Sequence, residues 1–158
     1  MRVLFAAGTL ALVAVATSSM LEAATVSRGP ALRDARWERT HTEWAARLAG
    51  REGRKVTGAA TAKPTADGTG TLVTVTLDGD TPGATRPWHV HTGSCRQSGG
   101  VVGGGRAYTP LVVDAKGQAS GTATIPVPLA DSASYYVNIH DAAAAMGIIV
   151  ACGDLTKR

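Results

Sequence analysis

His89 and His91 stand two residues apart in the run Trp88-His89-Val90-His91. A third histidine, His140, closes the run Tyr135-Tyr136-Val137-Asn138-Ile139-His140. On an extended chain the side chains at i and i+2 leave the same face, roughly 6.5 Å apart at the backbone, so two imidazoles there can converge on one ion. Trp88, Val90 and Thr92 then point the other way, and Val137 and Ile139 face opposite to His140. All three histidines therefore leave their strands away from the apolar faces. Three imidazoles without a thiolate suit copper(II) or zinc, with copper higher in the intrinsic affinity order. The alternative is three polar surface residues. A single His-x-His is a weak signal, and the third histidine on a strand of its own is what sets metal binding level with that alternative. The remaining histidine, His41, is read as facing solvent from a helix.

The elements that must carry these residues are strands. From Lys55 the apolar residues recur with period two. Val56–Ala62 reads as a strand, and Asp67-Gly68-Thr69-Gly70 as a turn. In Leu72–Asp78, Val73, Val75 and Leu77 alternate with Thr74, Thr76 and Asp78, which gives one buried face and one wet face. Gly79–Thr85 is a loop and Trp88–His91 a strand. Ser98–Gly105 is Gly-rich and reads as a loop. Leu111–Val113, Ala119–Val127, Tyr135–His140 and Ile148–Cys152 complete the set. Short strands at this spacing, with Gly turns between them, predict an all-β antiparallel sandwich or barrel. Before it, Ala31–Ala49 reads as one N-terminal helix, with Trp37, Trp44 and Leu48 on one face and Gly50 as its stop.

The chain opens with Arg2, then an uncharged apolar run from Val3 to Val15, then small residues up to Ala24. These are the parts of a secretory signal, and the run is shorter than the roughly 20 apolar residues a membrane span needs. A buried N-terminal helix is the alternative. Export to a secreted or periplasmic location divides the chain into a signal peptide at 1–24, an extension with the helix at 25–54 and the β domain at 55–158. No later segment is long and apolar enough to cross a membrane as a helix. The net charge of +4 is mild and the basic residues are scattered among acids, so no nucleic-acid footprint is present. Cys95 and Cys152 are the only cysteines. In an exported chain such a pair predicts a disulfide, with two metal-binding thiolates as the alternative. The bridge would close a loop of about 58 residues, worth roughly 4 kcal/mol in the chain-entropy picture.

The run His89-Val90-His91-Thr92-Gly93-Ser94-Cys95 resembles the copper-ligand strand and following cysteine of the copper/zinc superoxide dismutase family. Val137-Asn138-Ile139-His140 resembles the strand bearing that family's last copper ligand, and Ile149-Val150-Ala151-Cys152-Gly153 its C-terminal strand with the partner cysteine. The order of the elements agrees, and the resemblance covers about Lys55 to Leu155. It implies a Greek-key β-barrel of the superoxide dismutase type, with His89, His91 and His140 as copper ligands and Cys95–Cys152 as the intramolecular disulfide.

The chain also departs from that pattern. In the family, the loop after the first cysteine supplies a histidine bridging copper and zinc, together with further zinc ligands. Here Gly99–Pro110 contains no His, Asp or Glu. The resemblance therefore implies one copper ion and no zinc site of the family type. The family's superoxide-guiding arginine falls at about Ile149, which leaves Arg106 as the candidate for anion guidance. Water or Tyr108 is left to deliver protons. The spacing from His91 to Cys95 is a little short for the family. Three functions remain open at this point. One is a copper-binding, dismutase-like domain with weak or absent turnover. The second is a true copper-only dismutase acting on superoxide, and the third is a metal-free β scaffold for interaction.

Overall fold

The computed structural model describes residues 42–158. The span 1–24 read as a signal peptide, residues 25–41 of the expected extension, Trp37 and His41 lie outside the described residues. Among the described residues the fold is mostly antiparallel β. The strands are β1 (Trp44–Gly50), β2 (Thr57–Pro64), β3 (Thr71–Asp78), β4 (Thr85–Arg86), β5 (Trp88–Ser94), β6 (Gln97–Val101), β7 (Leu111–Val112), β8 (Ala119–Ile125), β9 (Tyr135–His140) and β10 (Ile149–Lys157). Eight form one sheet in the order β6-β5-β9-β10-β1-β2-β3-β8, and β4 and β7 pair separately. The sheet curls into a half-barrel.

The curl follows from residue size. Ala60, Ala62, Val73, Val75, Val90, Ala123, Val137 and Val150 are all buried in one core cluster, and small side chains let the strands wrap tightly around it. Trp88, Ile125, Ile139 and Leu111 fill the wider space. Between the outer strands β6 and β8, the chain after β6 lies across the gap. Gly103 has a φ of 71° and sits so close to Ile125 that a Cβ there would fall 2.9 Å from the isoleucine Cβ. Glycine suits both demands. Leu111 packs against Gly121 of β8 in the same way.

Two elements differ from the sequence expectations. The predicted helix at Ala31–Ala49 does not continue through its last turns, because Trp44–Gly50 is strand β1, hydrogen-bonded between β10 and β2. Trp44 and Leu48 are four residues apart, a spacing that one helix face and one strand face share. Ala46 between them decides the matter. It is buried with them, while Arg47 is exposed, so the period is two. The sheet thus takes in residues from within the span read as an extension. The second difference is β6. Its Gly-rich run has low strand propensity, yet it forms a hairpin with β5. Gly93 makes that turn possible, with a φ of 101° and the Gln97 carbonyl where a Cβ would stand.

Candidate metal centre

β5 and β9 are antiparallel neighbours in a register that pairs His89 with Asn138 and His91 with Tyr136. Trp88 and Val90 enter the core, so His89 and His91 leave the opposite face, where His140 joins them from β9. One ring nitrogen from each of the three histidines lies within 4.8 Å of the other two. The rings are not surface groups. His140 is only 4% exposed, and His89 and His91 are half-buried.

The hydrogen bonds identify which nitrogens are held. His140 Nδ1 lies 2.6 Å from the Met146 carbonyl oxygen, and His91 Nδ1 lies 3.0 Å from that of Gly99. A carbonyl only accepts, so both Nδ1 atoms carry the proton and both Nε2 atoms present lone pairs. His91 Nε2 is buried with no hydrogen-bond partner. His140 Nε2 lies 3.3 Å from His89 Nδ1. With His140 Nε2 bare, His89 Nδ1–H donates to it, a proton that a bound cation would displace, and the three rings, two of them oriented from behind by carbonyls, form a donor set for a cation. These residues therefore fit a metal ion on their own geometry.

Electrostatics reinforce this. Burial, followed by the charges of His140 and His91, pushes His89 down to about 4. Burial also lowers His140, against the opposing pull of the Met146 carbonyl, and His91 lowers it further. Both rings are neutral at neutral pH, the state a ligand requires.

Aromatic residues frame the rings. Tyr136 stacks on His91 with centroids 5.1 Å apart, and Tyr108 meets His89 edge-on at 5.2 Å. Tyr108 in turn packs on Trp88 and donates its hydroxyl to the Val102 carbonyl at 2.7 Å, pinning the chain after β6 beside the site. Burial pushes the Tyr108 phenol up to about 12, so it stays protonated. Gly105 lies against His89, since a Cβ there would fall 3.6 Å from Nε2. Arg106 follows it on an exposed 3-10 turn, Gly105–Ala107.

Cys95 and Cys152 form a disulfide with their Cα atoms 5.9 Å apart. It ties the β5–β6 turn to β10, and the Cys95 N–H donates to the Asp154 carboxylate at 2.6 Å. The two-thiolate alternative is thereby set aside. No helix among the described residues is long and apolar enough to cross a membrane.

The structure thus brings together all three histidines singled out from sequence, and it bridges both cysteines. The sequence reading missed the orienting carbonyls of Gly99 and Met146, the stacking ring of Tyr136 and a buried Arg86–Asp80–Asp141 cluster. The only sequence signal for the last was an Asp directly after His140 and an Arg just before Pro87-Trp88-His89. A scan of protein-family models and a search of curated proteins each find no match to this chain.

Proposed function

We propose that this chain is an exported copper-binding domain of superoxide dismutase-like type, with weak or absent dismutase turnover. The observation that carries the reading is the buried, unpartnered Nε2 of His91 beside the paired rings of His89 and His140. Copper is favoured over zinc because three imidazoles without thiolate or carboxylate sit higher for copper(II) in the intrinsic order. The dismutase likeness rests on the His89–Cys95, Val137–His140 and Ile149–Gly153 motifs, and the disulfide and antiparallel sheet are in keeping with it. A Greek-key barrel of that type is part of the same reading, as is export, which the disulfide favours.

His89 Nδ1, His91 Nε2 and His140 Nε2 would hold the ion. When bound, copper would supply one-electron exchange with a small oxidant such as superoxide. The chain's own residues do the remaining work. Gly99 and Met146 hold two rings in one tautomer, and Tyr136 and Tyr108 fix ring planes and exclude water. Arg106 is the candidate the resemblance leaves for drawing in an anion, although its exposed position makes that pull weak at physiological salt. The Gly99–Pro110 segment offers no carboxylate or imidazole to relay a proton. That lack is why copper retention is proposed ahead of turnover.

The test loads the full chain with copper(II), measures stoichiometry, and assays superoxide removal beside a His89→Ala/His91→Ala variant. One ion per chain, lost in the variant, with little superoxide removal is the expected result. Rapid removal dependent on the histidines would establish a copper-only dismutase instead. Weak, sub-stoichiometric binding that the variant retains would sink both metal readings and leave the scaffold reading.

A further inference from the structure

Arg86 is buried to 5% exposure between two carboxylates that play no direct part in the metal centre. Its Nε and Nη2 each donate to one oxygen of Asp80 at 2.8 Å, a two-point contact that fixes the guanidinium plane. Its Nη1 donates to the backbone carbonyl of Asp141 at 2.6 Å and to that residue's carboxylate at 2.7 Å. Asp80 is also buried, and it accepts the Thr81 N–H at 2.7 Å. Burial pushes the Asp80 carboxyl up, but the Arg86 hydrogen bonds, the Thr81 N–H and the charges of Arg86 and Arg54 outweigh it and hold the group below its usual value. From the outside, Arg54 reaches the Asp141 carboxylate at 3.6 Å.

The place of this cluster in the sheet gives it meaning. The β5–β9 register pairs Trp88 with Ile139, so one step further Pro87 stands opposite His140 and Arg86 opposite Asp141. The His140 N–H donates to the Pro87 carbonyl at 2.8 Å, but proline has no N–H to return. The backbone ladder loses a rung there. The guanidinium of Arg86 supplies the next one from a side chain by binding the Asp141 carbonyl. Asp141 is the base of the 141–148 loop, closed by its own N–H donating to the Ile148 carbonyl at 2.9 Å. That loop carries the Met146 carbonyl that holds His140 Nδ1–H.

We infer that Arg86 is a positioning residue of the metal centre, setting the 141–148 loop through Asp141 and so turning His140 Nε2 toward His89. Its effect on affinity rests on the copper reading above, whereas its effect on the His140 ring belongs to the metal-free chain. Partners behind a ligand histidine tune metal affinity by roughly 10–100-fold.

Two variants probe this without relying on one fold. Arg86→Lys keeps the charge but not the two-point contact. Arg86→Met with Asp80→Asn removes both charges and leaves no carboxylate buried alone. Nitrogen NMR of the metal-free full chain reads the His140 tautomer, and copper(II) titration reads affinity. The wild type is expected to hold His140 protonated at Nδ1. Both variants are expected to give mixed tautomers and affinity lower by roughly 10–100-fold. Val75→Ala, which loosens the core at β3, is expected to change neither. Variants that keep the wild-type tautomer would overturn the inference, whether or not the wild type binds copper. A wild type that fails to bind copper, with the tautomer still lost in the variants, would sink the copper reading and support the role of Arg86.

Discussion

β2 and β9 are strands of the same sheet, built on opposite plans. In β2, Ala60 and Ala62 are buried while Thr57, Ala59, Thr61 and Lys63 are exposed, so one face meets the core and the other meets water. In β9 all six residues are buried, although Tyr136, Asn138 and His140 lie on the face away from the core. Covering polar groups costs free energy unless each finds a partner. His140 finds Met146, but the Tyr136 hydroxyl and His91 Nε2 find none. The β1–β2–β3–β8 side also leaves a buried polar atom without a partner, Trp44 Nε1 on β1, so orphaned atoms alone do not divide the sheet. The β5–β9 side differs in gathering three imidazoles within reach of one ion, as expected where structure is kept for a ligand.

The contrast can be broken experimentally. The largest effect is expected from Cys95→Ala with Cys152→Ala, which unfastens the β5–β6 turn from β10. Removing a native bridge from a small exported domain costs about 2–5 kcal/mol, read as a lower urea midpoint. Val75→Ala, on the packing side, should cost about 2 kcal/mol and leave copper affinity unchanged. His91→Phe, on the other side, should do the reverse. The ring still stacks on Tyr136 and the unpartnered nitrogen is gone, so metal-free stability is expected to hold within about 1 kcal/mol while copper affinity collapses. If His91→Phe destabilises the metal-free chain more than Val75→Ala does, the division between the two sides fails.

Acid should loosen the Asp80–Arg86 pair that ties the chain after β3 to the residues leading into β5. The folded Asp80 carboxyl lies below its ordinary value, so the unfolded chain takes up its proton first as pH falls. That stability is complete above about pH 4 and is lost as pH drops through the depressed value. Unfolding midpoints measured from pH 5 downward should fall less steeply in Asp80→Asn than in the wild type. The smallest effect is expected on the surface where β10 meets β1. Lys157 lies over the Trp44 ring at 5.4 Å, and Lys157→Ala should cost no more than about 1 kcal/mol.

How much the sequence disclosed follows the same division. On the packing side, Val73, Val75 and Leu77 alternate with polar residues, and β3 is found within one residue of where alternation places it. The three histidines were legible because period two fixes which face each leaves, and the face is right for all three. β1 was misread because Trp44 and Leu48 satisfy both periods and the alanine between them is silent. β6 was missed because glycine carries no strand signal and its pairing comes from the hairpin turn. The Arg86 cluster joins residues 80, 86 and 141, whose meeting depends on the β5–β9 register. The orienting groups of Gly99 and Met146 are backbone carbonyls, which any residue type supplies.

The most direct test of the centre is electron paramagnetic resonance of the full chain titrated with copper(II), with histidine nitrogen-15 labelling. One copper(II) per chain, with hyperfine structure from three imidazole nitrogens that is lost in His89→Ala/His91→Ala/His140→Ala, is the expected result. Copper bound below one per chain, or an unchanged signal in the triple variant, would contradict a metal centre at His89, His91 and His140.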